Sequence, residues 1–407
     1  MSSNWTELEN MSITAVPGFQ AAGVACGLKN SKKDMAVICS EKETRAAGVF
    51  TQNLVQAAPV KLCKEHIKNP VRAVVVNSGN ANACTGEQGR RDAYKMAEKV
   101  AEGLNLNPSQ VLVCSTGVIG EPLAMDKVGA GIDQALTSLG RGEEFDTAAA
   151  EAILTTDTKI KRSAYRCNLP AGDFHLAGIA KGSGMICPNM ATMLAFLVTD
   201  VNIEQALLQE LFSEAANKTF NAITVDGETS TNDTALILAG GGSNKDEVEI
   251  KEGSEACEQF KALLEQVCRE LAFQIVEDGE GLTKVINLTI KGAPDEEKGR
   301  IMARSVLNSP LVKTAFYGED ANWGRILAAL GYSGVDFDPG KTDIFIGACQ
   351  LARDGGAVPF SEVEMKTILQ KKDIEVVVDL KQGPAEVKAW GTDMSHEYIR
   401  INSSYRS

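Results

Sequence analysis

Thr192 stands at an abrupt junction in the stretch KGSGMICPNMATMLAF, residues 181–196. Ahead of it glycine, proline and asparagine crowd together; behind it an apolar run begins, Met193 to Val198. A threonine hydroxyl is a weak nucleophile unless a base lies beside it. A threonine at a free N-terminus carries that base in its own α-amino group, with a pKa of about 8. A mid-chain threonine gains this amine only when the bond before it is cut, and its hydroxyl can make the cut. It attacks the preceding carbonyl, an N-to-O shift gives an ester, and water hydrolyses the ester. The reaction needs a permissive, strained turn ahead of the threonine and a rigid strand after it. The segments before and after Thr192 supply both. The plainer reading is a tight strand–turn–strand connection with a capping threonine, and the residues alone leave both readings open.

Acyl transfer also requires an oxyanion hole. In CSTGVIG, Thr116 and Gly117 end an apolar strand, so a hydroxyl and a glycine N–H can point at one oxygen. Taken alone, the same residues equally make an ordinary β-turn. Other chemistries fit poorly. KGSGM puts Lys181 where a serine elbow needs glycine, and His66, His175 and His396 are dispersed, which speaks against both a Ser-His-Asp set and a zinc site. PGKTD resembles a phosphate loop, but five residues separate Gly334 from Gly340 where that loop needs four, and Asp336 and Asp338 would face the phosphates.

The 407 residues exceed one small core and carry a net charge of −13, which argues against nucleic acid or an anionic membrane as partner. No apolar run approaches the roughly 18–20 residues of a membrane span, and the N-terminus does not read as a signal peptide. Ten cysteines lie scattered without a C-x-x-C, as expected of reduced thiols in a cytoplasmic protein.

The elements that must position these residues read as mixed α/β. MAVICS, AAGVFTQN, VRAVVV and QVLVCS are expected strands, as are DFHLAGIA, residues 193–199 and residues 235–239. Ala93, Met96, Ala97, Val100, Ala101 and Leu104 mark one face of a helix ended by Asn105 and Pro108. Further helices are expected near 203–217, over 254–276, and over 146–156 with Asp146 as N-cap. The last third reads as strand-rich, through KVINLTI, DIFIGACQ, IEVVVDLKQG, AEVKAWGTDM and a final alternating strand, EYIRIN.

Taken together, KGSGMICPNMATML, STGVIG, NSGNANACTGEQG (77–89), TVDGETSTND (224–233), EDGEGLTK (277–284), GEDANWGRI (318–326) and YIRINSSYRS (398–407) resemble the signature blocks of one family. It is the glutamate N-acetyltransferase/ornithine acetyltransferase family of arginine biosynthesis. The blocks occur in the family order and span nearly the whole chain. The resemblance implies a four-layer α/β/β/α sandwich of the N-terminal-nucleophile type, shared with peptidases of the DmpA type. It implies a cut between Ala191 and Thr192, giving an α chain of residues 1–191 and a β chain of residues 192–407, assembled as an α2β2 heterotetramer. It implies ping-pong transfer in which Thr192 takes the acetyl group of N-acetylornithine and passes it to glutamate, with Thr116 and Gly117 as the oxyanion hole. Acetyl-CoA is expected as an additional donor, which adds amino-acid N-acetyltransferase activity; no cofactor or metal is implied. Substrate contacts are placed at Thr155, Lys181, Thr192, Glu280, Asn402 and Ser407. Lys181 suits a substrate carboxylate and Glu280 an ammonium. Two rivals remain at this point: an aminopeptidase or amidohydrolase of the DmpA type on the same fold, and an assembly protein without catalysis.

Overall fold

One long strand, Met35–Phe50, organises the first part of the molecule. The computed structural model describes residues 4–170, 172–187, 193–240 and 248–404. Within Met35–Phe50 the pairing register breaks between Cys39 and Thr44. Residues before the break pair with Phe19–Val24 and Val71–Asn80; residues after it pair with Thr234–Ala239. MAVICS and AAGVF, which read as two strands, are therefore the two halves of one. An irregularity of this kind lets a strand bend and serve two sheets.

The two sheets lie face to face. The first runs Trp5–Glu7, Lys161–Leu169, Gly172–Lys181, Leu194–Thr199, Thr234–Ala239 and the second half of the long strand. The second holds its first half with Phe19–Val24, Val71–Asn80 and Val111–Val118. Ile38, Val74, Val76 and Leu112 from one sheet meet Phe196, Val198, Leu236 and Leu238 from the other in a shared core. On the outer face of the first sheet, Ala195, Leu197 and Ile237 pack under helices Gln205–Lys218 and Glu255–Glu277. On the outer face of the second, Val37, Val75 and Val113 pack under Gly86–Leu104 and Met125–Thr137. This is the expected α/β/β/α stack. It explains why Leu194–Thr199 reads as an unbroken apolar run: both faces are buried, so period-two alternation has no polar side to display.

Residues 285–392 add a unit that the sequence reading caught only as strands. Six of the strands in its seven-stranded sheet lie here, with Val285–Ala293 between Ala385–Thr392 and Asp373–Asp379; the seventh, Ile223–Thr224, pairs with Ala385–Thr392 at the edge. One face is covered by Glu296–Leu307, Pro310–Tyr317, Trp323–Gly331 and Glu362–Leu369, four helices the reading missed. Three of them start at serine or aspartate N-caps, Asp295, Ser309 and Ser361, so capping chemistry was the available signal.

Two further expectations are corrected. The helix expected over 146–156 is Glu143–Ala152, and Asp146 is not its cap. Asp146 lies inside the helix, where its carboxylate accepts from the Ser12 and Thr14 N–H groups at 2.7 and 2.8 Å. EYIRIN is not a strand but lies in the helix His396–Ser404. The Ser395 hydroxyl accepts from the Tyr398 N–H at 3.3 Å at its start, and Glu397 pairs with Arg400 one turn apart. The alternation that suggested a strand had no sheet edge to join, and capping decided the outcome. Among the described residues, no helix is long and apolar enough to cross a membrane.

Candidate active site

Six of the residues singled out by sequence line one cavity of about 120 Å³: Thr116, Gly117, Thr155, Lys181, Glu280 and Asn402. They come from separate parts of the fold. Thr116 and Gly117 lie in the strand Val111–Val118, and Lys181 closes Gly172–Lys181. Thr155 follows the helix Glu143–Ala152, Glu280 follows Glu255–Glu277, and Asn402 lies on the last helix. Gly117 has φ +132°, and a Cβ there would fall 2.3 Å from the Gly79 carbonyl carbon. Only glycine brings this backbone so close to the neighbouring strand. Ala191, Thr192 and Ser407, the expected cleavage pair and the last substrate contact, lie outside the described residues.

Both flanks of residues 188–192 are held by carboxylates. On the near side, the Met185 and Ile186 N–H groups donate to Asp226 at 2.6 and 2.8 Å, and the Val225 N–H donates to the Ile186 carbonyl at 2.8 Å. On the far side, the Met193 N–H donates to Asp233 Oδ1 at 3.1 Å. Asp233 is fully buried, its Oδ2 has no partner among the described residues, and burial pushes its carboxyl well above the usual range. Tyr398 donates to Asp226 at 3.2 Å, and burial together with this carboxylate pushes the phenol up.

A buried charge network backs Lys181. The Lys161 ammonium lies 2.7 Å from Asp157 and 2.6 Å from Asp278, with all three side chains almost fully enclosed. Asp157 also accepts from the Gly182 N–H at 2.6 Å and the Thr155 N–H at 3.0 Å. Its other neighbour is the Lys181 ammonium at 3.9 Å, which has no closer acceptor among the described residues. Burial alone would raise the Asp157 carboxyl, but Lys181 and Lys161 outweigh it and hold it well below the usual range. Burial lowers the Lys181 ammonium, with Asp157 opposing. Lys181 is thus a desolvated cation facing the cavity with only partial compensation, a setting suited to a carboxylate ligand.

The part of the lining formed by Glu280 and Asn402 is looser. The Asn402 side-chain amide donates to Glu280 at 2.9 Å and to the Tyr398 carbonyl at 3.1 Å. The Glu280 N–H donates to the Ser183 carbonyl at 2.8 Å, and a Cβ at Gly184 would lie 2.4 Å from the Glu280 carboxyl carbon. Glycine at 184 is what admits this carboxylate to the cavity. The cavity is thus lined by a cation, an anion, a hydroxyl and a strand-end glycine.

Sequence reasoning gave no role to Asp157, Lys161, Asp226, Asp278 or Asn232. Asn232 donates to the carbonyls of Ala81 and Ser115 at 2.6 and 2.8 Å, tying its loop to the strand that carries Thr116. Asp226, Asn232 and Asp278 fall within blocks already marked by resemblance, so a signal existed. Asp157 and Lys161 lie outside those blocks; they stand four residues apart, but Lys161 meets Asp278 across 117 residues. Among the described residues, no group of His, Cys, Asp and Glu is arranged to hold a metal ion.

The sequence profile of the ArgJ family matches residues 20–407. The arginine biosynthesis bifunctional protein ArgJ of Caldanaerobacter subterraneus subsp. tengcongensis is 49% identical over 396 residues, covering 96% of this chain and 97% of the relative. The protein of the same name from Bacillus subtilis is 44% identical over 397 residues, covering 97% of this chain and 96% of the relative. Among solved structures, the ornithine acetyltransferase of Mycobacterium tuberculosis complexed with ornithine is 37% identical, with a TM-score of 0.43, covering 46% of this chain and 98% of that one. On the family match and the near-full-length identity, this chain belongs to the ArgJ family.

Proposed function

We propose that the chain is an acetyltransferase of arginine biosynthesis, moving the acetyl group of N-acetylornithine to glutamate through an acetyl ester on Thr192. The observation that carries the reading is the convergence of Thr116, Gly117, Thr155, Lys181, Glu280 and Asn402 on one cavity. In this reading Lys181 pairs with the substrate α-carboxylate and Glu280 with the ornithine ammonium. Thr192 attacks the acetamide carbonyl, Thr116 and the Gly117 N–H hold the oxyanion, and ornithine leaves. Glutamate then takes the acetyl group. Asn402 and Ser407 serve the amino-acid end of the substrate.

The nucleophile arises by self-cleavage between Ala191 and Thr192, for which the pinned flanks at Ile186 and Met193 are suited. The two fragments assemble as an α2β2 heterotetramer in the cytoplasm. Acetyl-CoA is a second acetyl donor, consistent with the word bifunctional in the relatives' names, and no further cofactor is required. The hydrolase alternative is not favoured, because those relatives are named for arginine biosynthesis.

Intact mass spectrometry tests the reading. The purified protein should separate into two fragments at residue 191, and N-acetylornithine alone should add one acetyl group to the second fragment. Glutamate should then remove it. Thr192→Ala should stay uncut and inactive. A fully active uncut chain, or an unlabelled second fragment during turnover, would overturn the proposal.

A further inference from the structure

A second cavity adjoins the first and shares Thr155, Thr156 and Glu280 with it. It is an open groove of about 440 Å³, also lined by Lys32, Thr158, Lys159, Gly281, Leu282 and Ile401. Resting on the acetyl-transfer reading above, we propose that this groove binds the phosphate-bearing arm of a coenzyme A thioester, with Lys32 and Lys159 meeting the phosphates.

Size gives the first reason. A cavity of about 120 Å³ suits an acetylated amino acid. A coenzyme A thioester is several times larger, and its long arm must leave the cavity along an open channel. The shared residues make this groove continuous with the acyl site.

Charge gives the second. The chain carries a net charge of −13, yet Lys32 and Lys159 are exposed and have no ion-pair partner among the described residues. Of the acids lining the groove, Asp278 pairs with Lys161 at 2.6 Å and Glu277 with Lys372 at 3.5 Å, while Glu280, at the end shared with the acyl cavity, meets only the neutral Asn402 amide at 2.9 Å and keeps its charge. Lys32 and Lys159 thus outnumber the one lining carboxylate that lacks a cation, and away from Glu280 the groove presents positive charge to a polyphosphate.

Pre-ordering gives the third. Lys32 sits on the hairpin between Phe19–Val24 and Met35–Phe50. Asp34 holds that hairpin by accepting from the N–H groups of Cys26, Gly27 and Lys29 at 2.6, 3.1 and 2.8 Å. Lys29 ties it to the acyl site, donating to the Leu154 carbonyl at 2.8 Å, one residue before Thr155. Lys33 fixes its far side on Glu151 at 2.6 Å. Lys32 is thus the cation of this hairpin left to a ligand, and it is presented without a large ordering cost.

The chemistry needs no new reactant. The Thr192 oxygen adds to the thioester carbonyl, the C–O bond forms and the C–S bond breaks. The hydroxyl proton goes to the departing sulfur, giving free thiol and the same acetyl ester. The α-amine of glutamate then forms the amide bond, the ester C–O bond breaks, and a proton returns to the Thr192 oxygen.

Kinetics of the double charge reversal Lys32→Glu/Lys159→Glu test the groove. KM for acetyl-CoA should rise about tenfold or more, while N-acetylornithine–glutamate exchange stays within about twofold of wild type. In the wild type, added salt should raise KM for acetyl-CoA far more than KM for N-acetylornithine. Exchange serves as the control for folding. An unchanged acetyl-CoA KM, an equal loss with both donors, or a wild type that exchanges but takes no acetyl group from acetyl-CoA would overturn the groove and leave the transferase reading standing. A wild type without exchange would overturn both.

Discussion

The two walls of the acyl cavity are built on different principles. On one side stand Thr116, Gly117 and Lys181, backed by Asp157, Lys161 and Asp278. Lys161, Asp157 and Lys181 are all nearly or wholly enclosed, and Asp157 receives two backbone N–H groups as well as two ammonium groups. On the other side Glu280 and Asn402 meet at 2.9 Å, and Asn402 is exposed on the last helix. The first wall is a braced electrostatic frame whose geometry is fixed before substrate arrives. The second is a short, solvated contact that costs little to open. A ping-pong enzyme must admit two amino acids in turn and release one between them. Fixed charge on one wall with a yielding contact on the other meets that need.

The comparison breaks most severely at the centre of the braced wall. Lys161→Met leaves Asp157 and Asp278 buried without their shared cation, and should cost about 3–5 kcal/mol of stability, read by denaturant unfolding. A loss under about 1 kcal/mol would mean the network is solvated and the wall is not braced.

Thr116→Ala probes the same wall at the reacting atoms. In the oxyanion role proposed for Thr116, its loss should lower kcat by about 10²–10³-fold with little change in KM, because the charge it would meet develops only in the transition state. A kcat within threefold of wild type would remove Thr116 from the hole.

Asp157→Asn separates charge from shape. The carboxylate opposes the effect of burial on Lys181, whose other charged neighbours are Lys161, Asp233 and Glu280. Without it the Lys181 ammonium should lose its proton at lower pH, so the basic limb of kcat/KM should move to lower pH. An unmoved limb would show that Asp157 positions Thr155 and Gly182 without tuning Lys181. The sign for stability runs the other way. The folded-state pKa of Asp157 lies below its usual 3.8, so its contribution is complete above that value and is lost as pH falls toward the folded-state value.

The smallest effect belongs to the open wall. Asn402→Ala should reduce kcat/KM for N-acetylornithine by about fivefold, near 1 kcal/mol, since water can replace much of an exposed contact. Unfolding should not change. A loss approaching that of Thr116→Ala would show that the two walls are equally rigid.

Local chemistry determined much of this protein. The apolar strand Leu194–Thr199, the strand-end pair Thr116–Gly117 and the amphipathic face of Gly86–Leu104 were legible because each depends on neighbours within a few residues. The block resemblance carried the reading from there to Thr155, Lys181, Glu280 and Asn402. Tertiary structure decided the rest. It made one bent strand of Met35–Phe50, because the requirement is to serve two sheets whose partners lie as far away as Thr234–Ala239. It turned EYIRIN into a helix, because alternation specifies a strand only where a sheet edge is free to receive it. It also placed Lys161 between Asp157 and Asp278. The Lys161–Asp278 pair has no periodicity or spacing to read; it exists only where folding removes water from charges that the chain keeps 117 residues apart.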